Sequence, residues 1–150
     1  MKKAVFPGSF DPITIGHVDI ITRSMNVFEE IIIAVGDNKD KRYMFPKEKR
    51  VEFVKQTFVN FDTIKIESYD GLTVDFCKKN NTDFLIRGLR NLADFEFEKS
   101  IALTNREMTD VDTVFFLTSP EKSFISSSIV RDLIRNNGDY KLFIPEGITF

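Results

Sequence analysis

The sequence has very few of the residues that cross-link small proteins or bind metals. It contains one cysteine, Cys77, and one histidine, His17, among 150 residues. A lone cysteine excludes an intrachain disulfide framework, and no cysteine and histidine residues are spaced as zinc ligands. We therefore expect no metal site built by the protein alone and a reducing compartment, the cytoplasm.

The sequence also lacks a charge imbalance and long apolar runs. Its 21 basic and 23 acidic residues give a net charge of −2 without blocks of like charge, which argues against nucleic acid or an anionic membrane as a partner. No apolar run approaches the roughly 20 residues that span a bilayer. The basic N-terminus reaches Pro7-Gly8 before a signal-peptide core could form, so we expect a soluble protein that is not exported.

What is present fits one domain in which strands alternate with helices. The 42% hydrophobic content suffices for one core, so we expect a single domain over residues 1–150. Parallel neighbours require long crossovers, and the alternation therefore predicts an α/β fold: a doubly wound, mostly parallel five-stranded sheet with helices on both faces. Strands are predicted at 4–6, 30–35, 63–67, 83–86 and 113–117, and helices over the segments 18–28, 46–59, 72–79, 92–108 and 126–137.

The loop after the first predicted strand, Pro7 to His17, leads directly into a helix. Gly16 lets backbone approach a ligand closely, and a helix N-terminus carries partial positive charge suited to phosphate. The loop is neither a Walker loop nor a Gly-x-Gly-x-x-Gly dinucleotide loop. Alone, the turn Thr14-Ile15-Gly16-His17 indicates only phosphate binding at a helix entrance, and its histidine could equally be structural.

Two further segments stand where a doubly wound fold assembles its site. Arg87 and Arg90 flank Gly88 after an apolar strand, and guanidinium groups bind phosphate in bidentate fashion. The alternative is that they form surface salt bridges to Asp94 or Glu98. The three serines at 126–128 open a helix, where they could cap it, bind phosphate at its positive end, or do both.

Together these blocks carry a resemblance. Thr14-Ile15-Gly16-His17 has the form of the Thr-x-Gly-His signature of the nucleotidylyltransferase superfamily. With the segments 86–90, 94–98 and 123–128 added in order at strand-to-helix junctions, the chain resembles the bacterial phosphopantetheine adenylyltransferases over nearly its whole length.

The resemblance implies an enzyme that reversibly transfers the adenylyl group of ATP to the phosphate of 4′-phosphopantetheine. The products would be dephospho-coenzyme A and pyrophosphate, a step of coenzyme A biosynthesis, and the transfer would be direct. An anionic phosphate needs no strong base, so positioning and charge stabilisation would carry the catalysis. Transfer to another acceptor, such as nicotinamide mononucleotide or glycerol phosphate, and a non-catalytic nucleotide-binding domain remain the alternatives.

The resemblance also assigns residues. His17 would stabilise the transition state as a hydrogen-bond donor, with Lys41 and Arg90 as further catalytic groups. The acceptor would be bound by Ser9, Lys41, Thr73 and Arg87, and Leu72, Leu103 and Asn105 are plausible companions of Thr73. ATP would be bound by Ser9, Phe10, His17, Gly88, Leu89, Arg90, Glu98, Lys122, Ser123, Phe124, Ile125, Ser126, Ser127 and Ser128.

Each assignment has a plainer alternative. Lys41 lies in a polar run that composition alone would interpret as a solvated loop, and Ser9 could be an ordinary turn serine. Glu98 could be an exposed helical glutamate, and Thr73 could serve only packing.

The resemblance further implies Mg²⁺ arriving with ATP and a homohexamer. The chain departs from its relatives at Lys122, where an aromatic residue is common near the adenine, and at Phe97, where tyrosine is common. These departures concern adenine contacts and leave the phosphate-binding residues unchanged.

Overall fold

The computed structural model describes all 150 residues and contains one five-stranded sheet of order β3-β2-β1-β4-β5. Every neighbouring pair of strands is parallel, which confirms the predicted doubly wound α/β architecture. None of the helices is long and apolar enough to cross a bilayer. In chain order the elements are β1 (Lys3–Gly8), α1 (Ile15–Ser24), β2 (Glu30–Gly36), α2 (Lys47–Thr57), β3 (Ile64–Tyr69), α3 (Thr73–Lys79), β4 (Phe84–Leu89), α4 (Leu92–Thr109), β5 (Asp112–Leu117) and α5 (Ser127–Arg135), with 3-10 turns at Pro120–Lys122 and Tyr140–Phe143.

The strand order places the chain reversal between β1 and β4. From β1 the chain winds outward through β2 to β3, and β4 then lies on the other side of β1 and is followed by β5. The loops that leave β1 and β4 therefore diverge, and a crevice opens beyond their carboxyl ends. Gly8 ends β1 and Leu89 ends β4, so the predicted phosphate-binding segments both border this crevice.

Two apolar cores cover the two faces of the sheet. The larger contains Phe6 and Ile33 from the sheet, together with residues of α1, α2 and α5. The smaller contains Val5 and Ile32, packed mainly against α3. Neighbouring positions of a strand thus enter different cores, which explains why β2 is a continuous apolar run instead of an alternating one.

Two boundaries differ from the sequence expectation in ways that affect the site. Strand β4 continues past Ile86 to Leu89, because Arg87 and Gly88 pair with Phe115 and Phe116 of β5. Helix α1 begins at Ile15 rather than near Val18, because the Thr14 side chain accepts a hydrogen bond from the His17 N–H and caps the helix. The Thr14–His17 segment is therefore the cap and first turn of a helix.

Gly88 sets the distance between α1 and β4. A Cβ atom at this position would lie 3.0 Å from Cγ1 of Ile20, so close that the Ile20 side chain would have to shift. The absence of a side chain lets the helix that carries His17 pack directly on the strand that carries Arg87.

Candidate active site

Two cavities open at the carboxyl end of the sheet and meet beyond β1. The large cavity measures about 870 Å³ and the small cavity about 340 Å³. Both are lined by Ser9, Lys41, Arg87 and Glu98, together with Pro7-Gly8. The large cavity adds Tyr69, Thr73, Phe97, Ile101 and Asn105, and the small cavity adds Phe10, His17, Gly88, Arg90, Ile125 and Ser126, Ser127 and Ser128.

His17 is held in one orientation on the first turn of α1. The Thr14 backbone N–H donates to its Nδ1 at 3.0 Å, and the Thr14 hydroxyl lies 3.1 Å from the same atom. The Phe10 ring packs 5.0 Å from the imidazole, centroid to centroid. Because Nδ1 accepts this backbone hydrogen bond, the proton of a neutral ring resides on Nε2.

The electrostatic environment keeps that ring neutral. Burial, with smaller contributions from the positive charges of Arg87 and Arg90, lowers the pKa of His17 to about 4. At neutral pH the residue is therefore a hydrogen-bond donor through Nε2–H and carries no charge.

The loop between β1 and α1 is shaped by a buried aromatic ring. Phe10 has φ 49°, in the left-handed region, and its side chain is only 2% exposed. This conformation costs roughly 1–2 kcal/mol for a residue with a Cβ, and burial of the ring offsets it. The Asp11 carboxylate accepts the backbone N–H groups of Met44 and Phe45, which ties this loop to the loop that carries Lys41.

Lys41 and Ser9 meet where the two cavities join. The Lys41 Nζ donates to the Ser9 Oγ at 3.2 Å, and both residues line both cavities. Lys41 is therefore directed into the crevice and is not merely part of a solvated loop.

Arg87 forms an ion pair with Glu98, as one of the two interpretations of the sequence predicted. Its Nε and Nη2 donate to the two oxygens of Glu98 at 2.9 and 2.6 Å, and Nη1 donates to the Pro7 carbonyl at 2.8 Å. A guanidinium has five N–H groups, so two remain for a ligand. Glu98 is the one buried residue of α4, and the alternative of an exposed helical glutamate is wrong.

Arg90 forms a similar pair with Asp94. The Arg90 Nε and backbone N–H both donate to one oxygen of Asp94 at 3.0 Å, and Nη2 donates to the other at 3.3 Å. Burial alone would raise the pKa of Asp94, but the hydrogen bonds from Arg90 outweigh it and lower that pKa. Nη1 of Arg90 has no partner within the protein and is available in the small cavity.

The three serines at the start of α5 are already engaged through their hydroxyls. Ser126 caps the helix by accepting from the Ile129 N–H, and Ser127 donates to the Pro12 carbonyl at 2.8 Å. Ser128 accepts from Nη2 of Arg131. Capping is thus present, and phosphate binding here would depend on the free amides of the first helical turn.

Some residues assigned by resemblance lie outside both cavities. Leu89 is buried in the sheet, and Leu72 and Leu103 are exposed elsewhere. The Lys122 Nζ lies 3.8 Å from Asp19, and Phe124 is exposed and packs against Phe143. The Ser123 hydroxyl donates to the Pro120 carbonyl.

Two residues of the site were missed by sequence reasoning. Arg131 lines the small cavity and donates through Nη1 to the Asp11 carbonyl at 2.8 Å. Its position four residues after Ser127 puts it on the same helix face, a signal that was available. Tyr69 lies in the large cavity with its hydroxyl 2.8 Å from Thr73 Oγ1, and burial raises its pKa.

Comparison with known proteins agrees with this architecture. The family model described as cytidylyltransferase-like matches residues 5–133. The chain is 58% identical to a phosphopantetheine adenylyltransferase of Flavobacterium psychrophilum, over 99% of this chain and 98% of the relative. The corresponding figures are 53%, 99% and 97% for the same enzyme of Flavobacterium johnsoniae, and 43%, 99% and 99% for that of Bacteroides fragilis.

Among solved structures, a lipopolysaccharide core biosynthesis protein from Thermoplasma volcanium shares the fold. The TM-score is 0.58 at 16% identity, and the match covers 79% of this chain and 98% of that chain. At this identity the likeness concerns the fold alone.

Proposed function

The chain belongs to the cytidylyltransferase-like family and, within it, to the phosphopantetheine adenylyltransferases, and we propose that its two cavities bind one substrate each. It is an adenylyltransferase of coenzyme A biosynthesis. It transfers the adenylyl group of ATP to the phosphate of 4′-phosphopantetheine, giving dephospho-coenzyme A and pyrophosphate.

In this proposal ATP occupies the small cavity and phosphopantetheine the large one. The observation that carries the assignment is the junction: Ser9, Lys41 and Arg87 line both cavities, so the two reacting phosphates meet among them. The large cavity has apolar walls at Phe97 and Ile101 that suit an extended pantetheine arm, and the helix N-terminus beside His17 suits the nucleotide phosphates.

The chemical step is an in-line displacement. An oxygen of the acceptor phosphate attacks the α-phosphorus of ATP while the bond from that phosphorus to the bridging oxygen of the β-phosphate breaks, and pyrophosphate leaves with the electron pair. In this proposal Lys41 and the free N–H groups of Arg87 and Arg90 stabilise the developing charge.

His17 contributes as a neutral donor in this mechanism. With a pKa of about 4 the ring is not protonated to imidazolium at neutral pH and cannot act as a general acid, and Nδ1 is occupied by the Thr14 N–H and cannot act as a base. Its Nε2–H hydrogen bond to a phosphate oxygen strengthens as charge develops there.

We propose that Mg²⁺ enters the site together with ATP. Asp11, Asp94 and Glu98 are the carboxylates of the small cavity, and each already accepts hydrogen bonds from backbone or arginine. No group of three metal-binding side chains occurs in the chain. These residues fit an ion held by nucleotide phosphates and water, where it would neutralise phosphate charge.

We also propose that the chain assembles as a homohexamer in the cytoplasm. Helix α4 buries only Glu98, while its apolar residues Leu92, Leu103 and Met108 are exposed, which supports a self-association surface. Sedimentation should give a particle six times the mass of the chain. Cell fractionation would test the cytoplasmic location, a compartment in which ATP is available.

Pyrophosphate release from ATP tests the acceptor. We expect release with 4′-phosphopantetheine and none with pantetheine, which lacks the attacking phosphate. Activity confined to nicotinamide mononucleotide or glycerol phosphate would contradict the acceptor, and ATP binding without turnover would favour a non-catalytic domain. Lys41→Met should lose turnover, whereas Lys55→Met, an exposed lysine outside both cavities, should retain it.

A further inference from the structure

Arg50 is the most unusual charged residue of the chain outside the proposed reacting groups. Its side chain is completely buried, near the start of α2. A positive charge in the first turns of a helix opposes the helix dipole, and removal of a guanidinium from water is costly unless its hydrogen bonds are satisfied. Its position therefore calls for an explanation beyond helix stability.

The guanidinium of Arg50 joins the ends of two strands and the loop between β2 and α2. Nη1 donates to the Ser9 carbonyl at 2.8 Å and to the Gly36 carbonyl at 2.7 Å. Nε donates to the Phe45 carbonyl at 3.1 Å, and Nη2 donates to Asp37 at 2.7 Å. One planar group thus holds both ends of the loop that carries Lys41, and it also holds the backbone of Ser9.

Tyr43 extends this link to Lys41 itself. The Arg50 Cζ lies 3.8 Å from the centre of the Tyr43 ring, and the Lys41 Nζ lies 5.7 Å from the same centre. The Tyr43 hydroxyl accepts from the Asn38 N–H at 2.8 Å, which fixes the ring at the other side of the loop. Arg50, Tyr43 and Lys41 therefore form a continuous packed series that ends at Ser9.

We propose that Arg50 is the positioning residue of the acceptor-phosphate site, acting through the Ser9 backbone and the Tyr43 ring to hold Ser9 and Lys41 at the junction of the two cavities. It lines neither cavity and would therefore act only through its neighbours. The inference rests on the proposed roles of Ser9 and Lys41, and it adds the element on which their placement depends.

Arg50→Lys is the direct test, because it keeps the charge and removes the planar fork that reaches three carbonyls. A misplacement of about 1 Å at a reacting group can cost up to about a hundredfold in rate. We expect kcat/KM for phosphopantetheine to fall by at least about tenfold, and the KM for ATP to change by less than about threefold.

The matched control is Val54→Ala, a fully buried residue one turn further along α2 that packs in the larger core. It should destabilise the protein and leave kcat/KM per folded molecule unchanged. If Arg50→Lys behaves like this control, Arg50 is only a structural residue and the proposal is overturned.

A double-mutant cycle with Lys41→Met separates this inference from the proposed function. In the Lys41→Met background, the loss of kcat/KM caused by Arg50→Lys should be at least about threefold smaller than in the wild type, because one of the two groups that Arg50 positions is already gone. Additive losses overturn the proposal. Full turnover of Lys41→Met alone overturns the role of Lys41, and with it the inference about Arg50.

Should Arg50→Lys fail to fold, Tyr43→Leu replaces it in the same cycle. This variant leaves Arg50 and its four hydrogen bonds in place. It removes the ring between Arg50 and Lys41, together with the hydroxyl that accepts from the Asn38 N–H. Non-additivity with Lys41→Met supports the proposal, and additivity overturns it.

Discussion

The neutral state of His17 leads to a prediction that two independent measurements can check. The perturbation is His17→Ala, which removes the Nε2–H donor and leaves the Thr14 N–H without its partner. Loss of one preorganised donor to transition-state charge costs about 10²–10³ in kcat in comparable sites. Thr22→Ala, on the same helix and outside both cavities, should keep its turnover.

The pKa determines how this loss depends on pH. With a pKa of about 4, roughly 3% of His17 is protonated at pH 5.5, compared with about 90% for a histidine of ordinary pKa 6.5. The ratio of wild-type to His17→Ala turnover should therefore stay within about twofold from pH 5.5 to 8.5. Taking the ratio at each pH removes the ionisation of the acceptor phosphate, which affects both proteins alike.

The assay has two parts. Pyrophosphate release at saturating substrates gives the ratio of kcat values across the pH range. NMR of the imidazole C–H resonances gives the pKa directly, and the assignment is unambiguous because His17 is the only histidine in the chain. Between pH 8 and 5 the resonances should move by less than about a tenth of their full titration shift.

Either of two results would refute this reasoning. An NMR midpoint at or above pH 6 would show that burial and the two arginines do not hold the ring neutral. A turnover ratio that collapses toward one at pH 5.5 would show that His17 loses its function by protonation within the working range.

The remaining predictions concern the supports of the site. Gly88→Ala should lower the free energy of unfolding by about 1–3 kcal/mol in urea titrations, because the new Cβ would meet Ile20 at 3.0 Å; an unchanged midpoint would mean that α1 shifts freely. Thr14→Val should cost about 1 kcal/mol through the lost helix cap, and unchanged stability would contradict that capping role. The folded-state pKa of His17 is lowered, so its stabilisation is present above pH 6.5 and is lost toward pH 4; wild type should lose about 2 kcal/mol more than His17→Gln between pH 7 and 4.5, and equal losses would count against the shift.

The continuous apolar run of strand β2 was a reliable local signal. Strand β2 is covered on both faces, so its apolar run Ile31–Val35 was found almost to its ends. Strand β4 was cut short at Ile86, because Arg87 and Gly88 are extended only through pairing with β5, and that pairing leaves no local signal. Helix α4 was predicted over residues 92–108, and the structure shows that it buries a glutamate instead of an apolar stripe.

For the site, the sequence located the segments but not the contacts within them. Arg87 and Glu98 were identified as functional candidates or as a salt bridge, and the structure shows a bidentate pair that leaves two N–H groups free. The contact between Arg87 and Pro7 joins positions 80 residues apart, and that between Arg131 and Asp11 joins positions 120 residues apart. Periodicity and local spacing carry no information at such separations.

The sequence by itself determined the architecture and the location of the candidate site, because alternating strands and helices, a helix entrance at Thr14 and two arginines after an apolar strand are local properties. It could also identify His17 as the one histidine. Only the tertiary structure decided what that histidine is. Its proton position depends on the Thr14 N–H, and its neutrality depends on burial and on two arginines at the end of β4. The turn predicted to bind phosphate is thus a capped helix start that presents a neutral donor.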